Sequence, residues 1–243
     1  MSVKNILVLK NYKIADHSKW YNNRSTEPGL VENYKAMEEM CINSAHKNIP
    51  NLDDVVVFTG EADNIRDVFK KNFYEIYDLW KEGNNILYCD LDVVFLHRAN
   101  YFNQFEYFSM FNYTDPRSTI DEHYDLEIEH FFNCGIRYYP ADMSQDVWDI
   151  GLGMLDNWNP ERWDSEQIIY NAMMWSQDIS LADVLKPALA YQFLYSDQQD
   201  LCNEWNGTKI EDANAVHVHG SRGSGNRLAL MTKLFTWQRA IFP

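Results

Sequence analysis

The chain is short of positive charge. Lys and Arg number 21 against 36 Asp and Glu over 243 residues, a formal net charge of −15. The densest basic clusters are only Lys70-Lys71 and the pair Arg222 and Arg227. Proteins that bind nucleic acid neutralise its phosphates with clustered Lys and Arg, so this balance argues against a nucleic-acid partner. It argues equally against an anionic membrane surface. Cysteine is also sparse: Cys41, Cys89, Cys134 and Cys202 show no C-x-x-C spacing. That removes a zinc knuckle and a disulfide scaffold from consideration and reads as reduced thiols in a cytoplasmic protein. No run is long and apolar enough to span a bilayer, and the apolar part of MSVKNILVLKNYK is too short for a signal peptide. No integral membrane segment is expected. Repeats, low-complexity tracts and linkers are absent too, so a single domain over 1–243 is expected.

What the chain does have is a hydrophobic fraction of 46% and an aromatic fraction of 15%. That composition suits a folded chain with a substantial core. The aromatic excess serves core packing first, and also suits a protein that binds a flat base or a sugar ring. The first half alternates. Residues 5–9 (NILVL) read as a buried strand, 30–47 as an amphipathic helix, and 54–59 (DVVVFT) as a second strand. Residues 64–82 read as a long helix stopped at Gly83, and 86–89 as a third strand. Strand and helix in alternation, with near-continuous apolar strands, predict an α/β fold with a mostly parallel sheet. Beyond Arg98 the pattern is less regular. Residues 106–113 and 131–139 read as strands, 143–158 and 165–176 as helices, 180–195 as a mixed segment, and 215–218 as a short late strand. A Gly/Ser/Arg loop and a C-terminal helix from Leu228 complete the chain.

One stretch is locally unreasonable. NNILYCDLDVVFLHR places Asp90 and Asp92 inside a β-branched, apolar run. Strands disfavour Asp, and a buried carboxylate is costly without a partner. The pair follows a parallel strand, however, and open α/β sheets bind ligands beyond the carboxyl ends of their strands. Two hard oxygen ligands there suit Mg²⁺ or Mn²⁺. A metal would also let so acidic a chain hold a phosphate compound.

ILYCDLDVVF resembles the D-x-D strand of GT-A fold glycosyltransferases, and the similarity points to the glycogenin and bacterial lipopolysaccharide galactosyltransferase group. ILVLKNY with the elements after it resembles that group's nucleotide-binding half. FFNCGIRYYP is similar to its F-N-x-G-[VI] strand, WDSEQIIYN to its D-Q-x-x-x-N helix start, and AVHVHG to its H-x-x-G turn. The resemblance implies a Rossmann-like GT-A domain, with a nucleotide-binding half over 1–98 and an acceptor and sugar half over 99–243. It implies transfer of a sugar from a nucleotide-diphosphate donor, with uridine diphosphate favoured, to a glycan or other hydroxyl acceptor, using Mn²⁺ or Mg²⁺.

Carried over to single positions, the resemblance makes Asp90 and Asp92 metal ligands, with Asp90 also near the ribose. His217 stands in the H-x-x-G histidine, and His219 on the same short strand is its rival; imidazole suits Mn²⁺ better than Mg²⁺. Asn133 and Gly135 would line the donor sugar. Asp164, Glu166 and Gln167 stand where the family contacts sugar hydroxyls near the anomeric carbon. Asp164 or Glu166 also suits the general base of an inverting enzyme, whereas the resembled group is retaining. Lys71 and Tyr12 would approach the donor, Tyr12 by stacking on its base. Gly220 ends the H-x-x-G turn. The family often has a lysine three residues later, where this chain has Gly223, so Arg222 or Arg227 would meet the diphosphate instead.

Plainer roles fit some of these residues. Asp164 and Gln167 also form a capping box, Asn133 suits a backbone-satisfying residue, and Gly135 suits a bulge. YCDLDVVFL satisfies the first motif of haloacid-dehalogenase-type phosphatases as well, although that motif opens its domain and here two strand-helix units precede it. A catalytically inactive GT-A domain acting as a binding module is the third alternative.

Overall fold

The computed structural model describes residues 2–14, 29–102, 105–121, 126–157, 165–180, 191–192, 204–205, 208–209, 212–218 and 224–241. Its first elements follow the expected alternation: β1 (Asn5–Ile14), α1 (Leu30–Asn48), β2 (Asp54–Ala62), α2 (Ile65–Lys81) and β3 (Asn85–Cys89). The strands carry unbroken apolar runs because both of their faces are covered. Leu7 and Leu9 pack toward α1 with Met37, Cys41 and Ala45, while Ile6 and Val8 pack toward Phe73, Ile76 and Trp80 of α2. Asn64 caps α2 by accepting from the backbone N–H of Arg66 and Asp67 at 2.9 and 3.2 Å. Gly83, at φ 84°, then turns the chain back toward β3 in the left-handed conformation that glycine tolerates.

After β3 the chain leaves the sheet. β4 (Val93–Phe95) follows a three-residue turn, and β5 (Ser109–Asp121) and β6 (Leu126–Tyr139) then form a long antiparallel pair. The central sheet has the order β2-β1-β3-β6-β5. β1 is parallel to β2 and β3, while β6 is antiparallel to both β3 and β5. Four of the five strands therefore run in one direction. α3 (Gln145–Asp156) and α4 (Ser165–Trp175) join α2 on one face of this sheet. Their packing is aromatic: Trp148 lies 5.3 Å from Phe73, 5.1 Å from Tyr77, 5.7 Å from Trp80 and 5.2 Å from a stacked Tyr139, between ring centroids.

β7 (Tyr191–Gln192) belongs to a second, small sheet, and β8 (Glu204–Trp205) pairs with β9 (Thr208–Lys209). β10 (Ala215–His217) lies between β4 and β7 in the small sheet, antiparallel to β4 and parallel to β7. α5 (Ser224–Ile241) returns to pack Leu230, Met231 and Leu234 into the same apolar cluster as α1. Val93–Phe95, beyond the expected third strand, is a strand of its own whose partner is β10 and not β6. One expectation needs correcting. The helix at the C-terminal end begins at Ser224, so the second half of GSRGSGNR is the first helical turn and not a loop.

Candidate metal and donor site

The turn Asp90–Asp92 joins two sheets, and each side of it is pinned by a backbone bond. The Asp90 N–H donates to the Gly135 carbonyl on β6 at 2.8 Å. The Val218 N–H, just past β10, donates to the Asp92 carbonyl at 2.8 Å. The β4–β10 register sets His217 opposite Val93, the residue after Asp92. A strand from far along the chain thus delivers an imidazole to the D-x-D turn.

Asp90, Asp92 and His217 form a cluster whose potential ligand atoms all lie within 4.8 Å of one another. His217 Nε2 stands 3.2 Å from Asp92 Oδ1 and 3.6 Å from Asp90 Oδ2. The remaining oxygen of each carboxylate has another partner. The Tyr88 hydroxyl donates to Asp90 Oδ1 at 2.7 Å, and Arg227 Nη1 donates to Asp92 Oδ2 at 2.8 Å. Both carboxylates are therefore oriented with one oxygen toward the imidazole, the arrangement expected of ligands held by outer partners. The chemistry of the set, two hard oxygens and one imidazole nitrogen, fits a divalent cation such as Mn²⁺.

Space for the imidazole comes from Gly135. A Cβ there would fall 2.2 Å from His217 Cε1, 2.6 Å from Nδ1 and 2.8 Å from Asn133 Oδ1. Only glycine lets β6 run this close to the histidine. The electrostatics follow from proximity. Burial pushes the Asp92 carboxyl up, but His217 and then Arg227 outweigh it and hold the group well below the usual carboxylate range. Burial pushes His217 down, but Asp92 and then Asp90 outweigh it and raise the imidazole above its ordinary value.

The same strand carries the next residues. Asn133 Oδ1 accepts from the Gly135 N–H at 2.8 Å, while its Nδ2 donates to Gln167 Oε1 at 3.1 Å. His217, Gly135, Asn133 and Gln167 thus form one continuous wall. Asn133 thus satisfies a backbone donor, the plainer of its two expected roles, and also reaches a side chain of α4. Glu166, beside Gln167, points to a different pair: Oε1 lies 3.5 Å from Lys10 Nζ and 3.8 Å from Arg137 Nη1. A narrow apolar slot lined by Phe69, Phe73, Leu155, Ile169 and Tyr170 opens beside it.

Arg137 was not among the expected site residues. Its side chain is fully buried, and its guanidinium lies 3.9 Å from the Tyr88 ring centroid and 3.7 Å from that of Tyr170. Nη1 also donates to the Cys134 carbonyl at 2.7 Å. Tyr88 therefore touches both groups: its ring stacks on Arg137 and its hydroxyl holds Asp90. The resemblance offers Arg227 only as a rival to Arg222 for a phosphate, whereas the structure sets it on Asp92.

Two expected donor contacts are engaged elsewhere. Lys71 donates to the Glu61 carbonyl at 2.8 Å and pairs with Asp67 at 2.9 Å. Tyr12, opposite Gly60 in the β1–β2 register, donates its hydroxyl to the Glu75 carboxylate of α2. Burial, followed by Glu75, raises the Tyr12 pKa. Asp164, His219, Gly220 and Arg222 lie outside the described residues. Cys41, Cys89 and Cys134 are buried free thiols, with Cys41 and Cys89 Sγ 3.5 Å apart. Among the described residues no helix is long and apolar enough to cross a membrane.

No protein-family model matches the chain, and no curated protein matches it in sequence. Among solved structures, the chain is similar to a glycosyltransferase involved in the glycosylation of the major capsid of PBCV-1. The TM-score is 0.51 at 10% identity, and the match covers 95% of this chain and 99% of that one. At this identity the likeness establishes the fold. It is α/β, of the GT-A Rossmann-like type, with the Asp-x-Asp turn at the end of its third strand. A phosphatase of the haloacid-dehalogenase type would instead open its domain with that strand.

Proposed function

We propose that the chain is a metal-dependent glycosyltransferase that moves a sugar from a nucleotide-diphosphate donor, with uridine diphosphate favoured, to an acceptor hydroxyl. The observation that carries this reading is the Asp90, Asp92 and His217 cluster at the carboxyl end of β3 in a GT-A sheet. Ligands of open α/β sheets bind at that edge. When bound, a divalent ion, for which we favour Mn²⁺, supplies a Lewis acid that stabilises the departing diphosphate.

The chain's own groups supply the rest. Asp90 Oδ2, Asp92 Oδ1 and His217 Nε2 hold the ion, and Tyr88 orients the Asp90 carboxylate toward it. Asn133 and Gln167 offer an amide wall to the sugar, next to the ligands. Glu166 is the carboxylate nearest that wall on α4 and is assigned to sugar hydroxyls or to the acceptor proton. Arg137 and Lys10 are its positioning residues. The assignment to one glycosyltransferase group, and the cytoplasmic location, belong to this proposal and rest on the sequence resemblance and composition alone.

The test is thermal melting against a panel of nucleotide diphosphates and nucleotide-sugars, with and without Mn²⁺. A ligand that binds only the native state raises the melting temperature according to its affinity. The expected result is a shift that needs Mn²⁺ and one nucleotide together, lost in Asp92→Ala while the fold is retained. The absence of any shift with every nucleotide and metal would overturn the reading.

A further inference from the structure

Arg227 raises a question that the proposed function leaves open. A metal centre needs the negative charge of Asp92, yet a guanidinium already occupies one oxygen of that carboxylate at 2.8 Å. The position is not peripheral. Asp92 is buried, with only 6% of its side chain exposed, and it is the carboxylate nearer to His217. Arg227 keeps 19% of its own side chain exposed, so the residue reaches solvent from beside the ligand cluster. It comes from the first turn of α5. That helix is anchored further along by Leu230, Met231 and Leu234 in the core, so the side chain can swing while the helix stays in place.

The charges decide what this contact does. With the ligands alone, Arg227 supplies part of the positive charge that the two carboxylates need. It therefore opposes entry of a free divalent ion. A diphosphate bound next to the ion reverses the sign of that opposition, because guanidinium binds phosphate oxygens in a bidentate fork. One side chain thus has two competing anionic partners, and the ion and the diphosphate must arrive together to exchange them.

We propose that Arg227 holds Asp92 while the donor is absent and transfers to the donor's diphosphate when the metal enters, so that metal and nucleotide bind as a cooperative pair. This rests on the glycosyltransferase reading above and adds an order to it: the site takes up the metal with the nucleotide in preference to the free ion. By linkage, the strengthening of metal binding by nucleotide equals the strengthening of nucleotide binding by metal. Both depend on Arg227.

The experiment titrates Mn²⁺ into the full chain, with and without uridine diphosphate, and follows the free-ion electron paramagnetic resonance signal. It compares wild type, Arg227→Gln, and Lys233→Gln, which removes one exposed charge from the same helix. Circular dichroism confirms that each variant is folded. For Arg227→Gln we expect Mn²⁺ alone to bind roughly tenfold tighter and the nucleotide, at saturating Mn²⁺, to bind roughly tenfold weaker, within the usual 5- to 150-fold range of such couplings. Lys233→Gln should change neither. If Arg227→Gln moves both affinities in the same direction, or leaves the Mn²⁺ affinity unchanged, the exchange is wrong although the transferase site stands. Equal effects in Lys233→Gln would reduce it to a general charge effect and overturn it. If wild type itself binds neither Mn²⁺ nor nucleotide, the functional reading fails first.

Discussion

Two ion clusters meet at Tyr88, and they are unbalanced in opposite directions. On one side, among the described residues, Asp90 and Asp92 face one permanent cation, Arg227, and the imidazole of His217. On the other, Lys10 and Arg137 share one carboxylate, Glu166. The first cluster lacks positive charge and opens toward solvent at Asp90, whose side chain is 31% exposed. The second has positive charge to spare, and its arginine is sealed between two tyrosine rings, where the ring faces stabilise a cation. In the proposed reading a divalent ion completes the first and has no place in the second, so that one cluster binds and the other positions.

The largest way to break this contrast is to remove the sealed cation. Arg137→Leu removes a buried guanidinium that stacks on two rings and donates to the Cys134 carbonyl, while Lys10 still pairs with Glu166; the lost charge-assisted bond alone costs about 1.5–3 kcal/mol. Chemical denaturation should show that loss, and Arg137→Lys should recover little of it because an ammonium cannot stack between the rings. Arg227→Gln, which leaves Asp92 with His217 still 3.2 Å away, should lower the unfolding midpoint by less than Arg137→Leu does. Equal losses in the two variants would mean that the clusters do not differ in kind.

Gly135 offers a sharper break, aimed at the binding cluster alone. In Gly135→Ala the new Cβ falls 2.2 Å from His217 Cε1, so the imidazole or β6 must shift. Overpacking of this kind costs about 1–3 kcal/mol. Mn²⁺ affinity should fall by at least the corresponding factor, since the displaced group is a ligand. Gly153→Ala is the control. A Cβ there meets nothing within 4 Å, and alanine is the better helix former by about 1 kcal/mol. A Gly135→Ala protein with wild-type Mn²⁺ affinity would remove His217 from the ligand set.

Protons compete with the metal for the same cluster, so pH separates its two states. The Asp92 pKa is lowered in the folded chain. Its contribution to stability is present above the unfolded value, about 3.9, and is lost as pH falls through the lowered one. The His217 pKa is raised. Its contribution is complete below its unfolded value, about 6.5, and disappears as pH rises through the raised one. The metal-free chain should therefore be most stable between about pH 4 and 6.5 with respect to this pair. Metal binding needs neutral imidazole and should strengthen about tenfold per pH unit up to the raised value. In Asp92→Asn the alkaline fall in stability should flatten, because the main group raising His217 has gone. A wild-type stability that is flat from pH 6 to 9 would count against the pair.

Much of this was legible in the sequence, and the limits are physical. The alternation up to β3 could be read because strands covered on both faces must be apolar throughout, and because Asn64 and Gly83 mark the ends of α2. The D-x-D turn stood out because its acids conflict with the run around them. β4 did not stand out, since VVF continues that run and periodicity cannot say that the chain has changed sheets. His217 was legible as the third ligand only through the family resemblance, with His219 as its rival; what brings it to the turn is the β4–β10 register, a pairing across more than a hundred residues. Arg137 was missed altogether. An arginine in FFNCGIRYY reads as a solvent-facing position, and only the distant Tyr88 and Tyr170 make it a buried one. The first turn of α5 reads as loop because small polar residues suit a loop and a helix start equally well.

The smallest predicted effect falls on the residue shared by the two clusters. Tyr88→Phe keeps the ring that stacks on Arg137 and deletes only the hydroxyl that holds Asp90 Oδ1 at 2.7 Å. Burial, and then Asp90, raises the Tyr88 pKa, so the proton is retained and the hydroxyl acts as a donor. Without it Asp90 keeps its place in the turn, because the Asp90 N–H still bonds to Gly135. Its carboxylate, however, gains rotational freedom. Loss of such an outer partner typically weakens metal binding 10- to 100-fold, and the low end applies to a carboxylate still flanked by His217. Mn²⁺ titration should thus show a loss of about tenfold, with an unfolding midpoint close to wild type. A large loss of stability with unchanged Mn²⁺ affinity would reverse the contrast. The hydroxyl would then belong to the positioning cluster, and Asp90 would be held by the turn alone.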